Sequence, residues 1–296
     1  MDEVKLNDSV INNTFTMVNL KFILVVLSLL LFSVIFSFGQ EQRFGFREPK
    51  NKIFVIAHRG AHNGIPENSL PAYQKAIDLG CDFVEIDVRT TKDSQFVSIH
   101  NSTIDNYVPG TTGKVSQMTL AELKSLDIGL RMGEEWKDTR IPTFEEILQL
   151  CRGKIGIYLD LKEASVPELM NIIQKYEMEQ HVVWYIPAEY VVNVKDAEKQ
   201  FGNSFPMPDP HSKRNIGKVV RKMRPTVIAT DMETLSVRFI EKAHKSGAMV
   251  FADEKEGTPK EWQQMIRWGV DGIQTDHPDE LILFLRNGAL KPEVLP

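Results

Sequence analysis

The sequence predicts an α/β protein built as a parallel (β/α)8 barrel, preceded by an N-terminal signal peptide or membrane anchor. Three observations carry this. From residue 53 onward, short β-branched runs alternate with segments of helical pattern. Several runs are almost continuously apolar, as strands covered on both faces must be. The chain after its N-terminal segment is roughly 250 residues, the usual size of such a barrel. A doubly wound open sheet is the alternative that the same alternation allows.

In chain order, residues 1–39 read as the signal peptide or anchor, with Met17 as an alternative start, 40–50 as a short linker, and 51–296 as the barrel. Residues 22–38 form an uncharged apolar run between Lys21 and Gly39-Gln40-Glu41-Gln42. Its length lies between a signal-peptide core and a spanning helix. Ser37-Phe38-Gly39 offers small residues for cleavage, and no cysteine stands there to take a lipid. Asp2, Glu3 and Asp8 make a poor n-region, whereas Met17-Val-Asn-Leu-Lys21 makes a good one. A cleaved export signal and an uncleaved anchor both stay open. Either puts the barrel outside the cytoplasm, periplasmic or secreted in the first case, membrane-associated through 22–38 in the second.

The expected strands are 53–57, 82–88, 96–100, 155–161, 182–186, 226–230, 248–252 and 272–275. Thr119-Leu-Ala-Glu122, Thr143-Phe-Glu-Glu146, Ser165-Val-Pro-Glu168 and Thr258-Pro-Lys-Glu261 match the capping box that opens a helix. Gly80, Gly247 and Gly269 stand where helices should end. Residues 205–210, Phe-Pro-Met-Pro-Asp-Pro, read as a proline-rich loop.

The net charge of -5 argues against nucleic-acid binding, which needs a basic footprint. One basic run exists, at Lys213, Arg214, Lys218, Arg221, Lys222 and Arg224; it reads as a solvated helix face or a contact for anionic headgroups. Nothing indicates a protein partner. The two cysteines, Cys81 and Cys151, read as buried thiols, with a disulfide as the alternative in an oxidising compartment.

In a parallel barrel the site lies at the C-terminal ends of the strands. His58 follows the first expected strand, Glu85 and Asp87 end the second, His100 the third, Asp160 and Lys162 the fourth. Residues two apart share a face of a strand, so these groups aim at one place. Glu85, Asp87 and Asp160 suit a hard cation such as Ca²⁺ or Mg²⁺; an ion-pair layer with Arg59, Arg89 and Lys162 is the competing reading. Two histidines suit proton transfer near neutrality, or metal ligation. Arg59 and Lys162 suit a phosphate. Together they describe phosphoester cleavage.

The order His58-Arg59-Gly60, Pro66-Glu67-Asn68, Glu85-x-Asp87, Phe96-Val-Ser-Ile-His100, Thr111-Thr-Gly-Lys114, Met118-Thr-Leu-Ala-Glu-Leu123, Ile141-Pro-Thr-Phe-Glu145, Asp160-Leu-Lys162 and Gly269-Val-Asp-Gly-Ile-Gln-Thr-Asp276 runs across nearly all of 51–296. It resembles the glycerophosphodiester phosphodiesterase family. The resemblance implies a TIM barrel that hydrolyses glycerophosphodiesters, the deacylated phospholipids, to glycerol 3-phosphate and an alcohol. It implies His58 and His100 as the acid/base pair, Glu85, Asp87 and Asp160 as ligands of a divalent cation, and Arg59 and Lys162 near the phosphate. It further implies attack by the substrate's own glycerol hydroxyl, a cyclic phosphate, and its opening by water. Glu67 and Asn68 resemble supporting residues of the first loop.

Departures from the family pattern mark where this chain differs. Asn101 stands where aspartate commonly follows the second histidine, Tyr107-Val-Pro-Gly110 replaces an arginine, and Asp160 replaces a glutamate. Phe251-Ala-Asp253-Glu254 replaces a tryptophan-containing segment and puts acids at the barrel mouth, near where an alcohol would sit. His62 reads as a loop residue, with a third catalytic histidine as the alternative. A lysophospholipase D-type lipid phosphodiesterase and a non-catalytic phosphate-binding barrel are the competing functions.

Overall fold

The computed structural model describes residues 48–187, 190 and 197–287; the apolar run 22–38 lies outside the described residues. Among the described residues, no helix is long and apolar enough to cross a membrane.

The strands are β1 (Phe54–Ala57), β2 (Phe83–Thr90), β3 (Phe96–Ser98), β4 (Gly156–Glu163), β5 (Val182–Pro187), β6 (Phe205–Asp209), β7 (Val227–Asp231), β8 (Met249–Asp253) and β9 (Gly272–Thr275). All but β3 run parallel in the order β6-β5-β4-β2-β1-β9-β8-β7. β6 and β7 stand side by side across the remaining seam without a ladder among the described pairings, so the barrel is nearly closed.

Two expectations fail, and their errors cancel in the strand count. The run 96–100 is not a barrel strand: β3 folds back antiparallel on β2, pairing Val88 with Ser98 and Thr90 with Phe96. Only residues 91–95 join them, and a parallel crossover needs about a dozen residues or more. The proline-rich segment, in turn, is a barrel strand. Pro206 and Pro208 are two apart, so their missing N–H groups fall on one edge of β6. Since β6 ladders onto β5 alone, the donor-free edge fits the seam with β7.

The inner faces alternate with the outer ones as the pleat requires. Val55, Ala57, Val84, Ile86, Ile157, Leu159, Trp184 and Ile273 join the core under the helices. Inside, Phe54, Phe83 and Phe251 close the floor with ring centroids 5.4–5.8 Å apart. Gly156 makes room for this floor: a Cβ there would meet the Phe83 ring at 2.6 Å. With an apolar plug below, the polar inner residues gather at the upper rim.

The helices are α1 (Leu70–Leu79), α2 (Leu120–Ser125), α3 (Phe144–Cys151), α4 (Val166–Lys175), α5 (Ile216–Met223), α6 (Val237–Lys245), α7 (Pro259–Trp268) and α8 (Pro278–Arg286). Thr119 and Thr143 form full capping boxes with Glu122 and Glu146. Two others are incomplete. Ser165 makes no side-chain cap bond, and Glu261 turns from Thr258 to accept the N–H groups of Lys255, Glu256 and Gly257. Gly80 and Gly269 end α1 and α7 in the left-handed conformation, and Gly247 follows the end of α6. On α5, Ile216, Val219 and Met223 are buried and the basic residues lie on the solvent side, as a solvated face should.

Between β2 and β4 the insertion has its own small core of Val97, Ile99, Ile104, Tyr107, Val115, Leu123, Ile128 and Ile141. Cys81 and Cys151 are buried free thiols, each pushed up to about 12 by burial.

Candidate active site

The first loop is built around backbone that most residues avoid. Arg59, Gly60 and Asn68 all have positive φ. Gly60 is required twice over: its φ is +84°, and a Cβ would meet the Ala72 Cβ of α1 at 2.7 Å. This fold of the loop brings the Arg59 N–H to Glu85 Oε2 at 2.7 Å. Arg59 Nη1 lies 3.3 Å from Glu67 Oε2, and its Nε lies 3.8 Å from Asp87 Oδ2, buried and without a hydrogen bond. Glu67 also accepts the Tyr107 hydroxyl, at 3.0 Å. It braces the arginine, and Tyr107 braces it in turn.

Asn68 is almost wholly buried and holds Asp87. Its Nδ2 donates to Asp87 Oδ2 at 2.8 Å, while its Oδ1 accepts from the Tyr73 and Ser98 hydroxyls at 2.9 and 2.8 Å. Both supporting residues therefore act through a named partner.

Glu85, Asp87 and Asp160 bring ligand oxygens within 4.8 Å of one another. Asp87 and Asp160 are directly paired across β2 and β4. Burial, then the charges of Asp87 and Asp160, push the Glu85 carboxyl well above the usual carboxylate range. Burial also raises Asp160, against the opposing pull of Lys162. Lys162 Nζ donates to Asp160 Oδ2 at 2.5 Å and stands 3.3 Å from Asp87 Oδ1, which is buried without a hydrogen bond. Three converging carboxylates, one with a buried oxygen that makes no hydrogen bond, form an all-oxygen donor set that fits a hard divalent cation. The ion-pair reading holds in part: Arg59 and Lys162 pair with Asp87, and Lys162 with Asp160, whereas Arg89 bonds the His100 carbonyl and Glu163 and not this trio.

His58 Nδ1 lies 2.6 Å from Asp276 Oδ1. A carboxylate only accepts, so that bond puts the proton on Nδ1 and leaves Nε2 as the reactive nitrogen. His100 lies beyond β3, close enough to Asp160 to pull its carboxyl down. Its Nδ1 lies 2.9 Å from Asn101 Oδ1, so Asn101 keeps the orienting bond without the charge. Two Arg89 nitrogens hold the His100 carbonyl, at 3.0 and 2.6 Å. His62 is a loop residue: its Nδ1 bonds the His58 carbonyl at 2.9 Å, and its Nε2 lies 3.8 Å from Asp276 Oδ1.

Asp276 carries a role that the sequence reading did not give it. The hydrogen bond from His58 holds its carboxyl below the usual range, against burial. Its signal was present: an acid on the inner face, just past the last barrel strand, is placed as His58 is past the first. Glu254, by contrast, is absorbed by structure, accepting from Trp262 Nε1 at 2.5 Å, Thr275 Oγ1 at 2.7 Å and the Asp276 N–H at 3.1 Å. Of the two mouth acids, only Asp253 ends a strand on the inner face.

Residues 58–280 match the profile described as the glycerophosphoryl diester phosphodiesterase family. The chain is 33% identical over 256 residues to a glycerophosphodiester phosphodiesterase of Caldanaerobacter subterraneus, covering 80% of this chain and 99% of that one. Two solved structures share the fold. One is a glycerophosphodiester phosphodiesterase of Agrobacterium tumefaciens, 23% identical, TM-score 0.70, covering 78% of this chain and 99% of that one. The other is a phosphodiesterase of Oleispira antarctica in complex with the product sn-glycerol-3-phosphate, 22% identical, TM-score 0.66, covering 79% and 96%.

Proposed function

This chain belongs to the glycerophosphoryl diester phosphodiesterase family, phosphoric diester hydrolases, and on that premise we propose that it hydrolyses glycerophosphodiesters to glycerol 3-phosphate and an alcohol with the help of a divalent cation. The observation that carries this is the convergence of Glu85, Asp87 and Asp160 beside Lys162 and Arg59, with an oriented imidazole at His58 and another at His100.

Arg59 and Lys162 bind the phosphate, the first through its planar fork and the second as a point charge. With each Nδ1 engaged, both histidines present Nε2 to the substrate. One takes the proton of the attacking glycerol hydroxyl, and the other gives one to the departing alkoxide; the roles exchange when water opens the cyclic phosphate. Ca²⁺ or Mg²⁺, held by Glu85, Asp87 and Asp160, would polarise the phosphoryl oxygen. Asp276 stabilises the imidazolium that forms at His58.

The test is release of glycerol phosphate from glycerophosphocholine and glycerophosphoethanolamine, with and without EDTA. Undiminished turnover in EDTA, or full activity of His58→Ala, overturns the mechanism. For the location, we read residues 22–38 as an export signal, with an anchor as the alternative. N-terminal sequencing of the mature protein distinguishes them.

A further inference from the structure

The acids of the barrel mouth are not confined to the cation trio. Asp209, Asp231 and Asp253 end β6, β7 and β8, and Asp231 and Asp253 are directly paired. They make no second metal centre: among the described residues, only Glu85, Asp87 and Asp160 bring their oxygens close enough for one ion. No lysine or arginine among the described residues pairs with them either. Asp209 accepts the His211 N–H at 2.7 Å and the Tyr185 hydroxyl at 3.2 Å, with His211 Nδ1 at 3.2 Å. Asp231 accepts the Thr234 N–H at 2.7 Å. The Asp253 carboxyl makes no hydrogen bond or ion pair among the described residues, although it stands within the electrostatic reach of His58, Asp160, Asp209 and Asp231.

A second, independent feature points the same way. Gln274 is paired with Asp253 across β8 and β9. Its neighbour Ile273 faces the helices and Thr275 bonds Glu254, so the pleat turns Gln274 inward, toward the acids. It is 8% exposed, and its Oε1 is buried without a partner. An orphaned acceptor beside carboxylates calls for a ligand that brings donors and positive charge. Tyr158 and Tyr185, stacked with centroids 6.2 Å apart, add aromatic surface near Asp253.

We propose that the β6–β9 half of the mouth is a headgroup subsite for the ammonium of an amino alcohol, with Asp253 and Gln274 as its specificity-determining residues. This deepens the reading above and rests on it. Asp253 pairs with Gln274, and Gln274 pairs with Ile56, two residues before His58, so the strand register sets the subsite beside the reacting end of the mouth. A primary ammonium suits it best, because the lining offers acceptors; a trimethylammonium has no N–H to give them.

The test compares kcat/KM for glycerophosphoethanolamine, glycerophosphocholine and glycerophosphoglycerol in the metal-loaded protein. The ethanolamine diester is expected to exceed the glycerol diester by about tenfold or more, the worth of a charge-assisted hydrogen bond, with choline between them. Asp253→Asn is expected to reduce the ethanolamine-to-glycerol ratio by about tenfold. Gln274→Leu supplies a second variant should the first not fold, and is expected to reduce the ethanolamine-to-choline ratio. Equal turnover of charged and neutral diesters, choline outrunning ethanolamine, or ratios unmoved in both variants overturns the proposal alone. No turnover of any of the three overturns it together with the reading beneath it.

Discussion

At His58, the Asp276 carboxylate fixes which nitrogen carries the proton, and in the proposed mechanism it balances the charge of the imidazolium. Asp276→Asn keeps the shape but removes the charge, so kcat should fall by roughly 10–100-fold while KM stays close to the wild-type value. Steady-state kinetics on a glycerophosphodiester reads both; a change confined to KM would contradict the role. Asn68 holds Asp87, one of the three carboxylates proposed to bind the cation. Its removal strips Asp87 of a bond and leaves the Tyr73 and Ser98 hydroxyls short of an acceptor. Asn68→Ala is therefore expected to cost about 3 kcal/mol of stability and to weaken cation affinity by about 10–100-fold, measured by urea unfolding and by calorimetric titration. The meeting of Glu85 and Asp87 with Asp160 and Lys162 was readable from spacing, because residues two apart on a strand share a face. The partners were not: Asn68 and Asp87 are 19 positions apart, His58 and Asp276 are 218 apart, and no local periodicity relates such positions.

Elements carry the site by meeting at close range, most tightly where the β1 loop presses on α1. Gly60→Ala should release the loop and the Arg59 bond to Glu85, with large losses of melting temperature and activity. Ala72→Gly should not rescue it, since the Ala72 carbonyl carbon would remain 2.8 Å from the new Cβ. Rescue in a thermal melt of the double variant would show that the Cβ contact alone was at fault. The capping boxes at Thr119 and Thr143 were visible in the sequence because a cap is local chemistry. β6 was hidden by its prolines, whose usual meaning is a loop; a strand on a seam without a ladder tolerates them. β3 was visible as a strand but not as an antiparallel one, although residues 91–95 are too short a link for anything else.

The molecule as a whole concentrates buried acids at one rim, and its stability should report that. Burial pushes Asp253 up to about 7, and raises Glu85 and Asp160 too. A carboxyl raised on folding holds its proton more tightly in the native state, so the native state binds more protons than the unfolded one between the two pKa values. Its contribution is fully present below about pH 4 and is lost as the pH rises through about 7. In EDTA, Asp253→Asn should therefore gain melting temperature over the wild type as the pH is raised from about 4 to 7; a constant difference would exclude this. Asp276, held low by His58, acts in the opposite sense, and its contribution is lost as the pH falls. Ca²⁺ should stabilise the protein more at pH 7.5 than at pH 5, because its ligands must lose protons first. Melting curves with and without EDTA at the two pH values check this.

By itself the sequence determined the barrel, the family and the groups available for chemistry. Apolar runs, caps and strand-end acids follow from local rules of pleat, helix terminus and burial. Only the tertiary structure decided that β6 rather than β3 completes the ring, that Asp276 reaches back to His58, and that the Asp253 carboxyl has no hydrogen-bond partner among the described residues while Glu254 is tied down. Those outcomes depend on which distant side chains share a few ångströms at the mouth of the barrel, and a barrel fixes that by its register, which no stretch of sequence specifies alone.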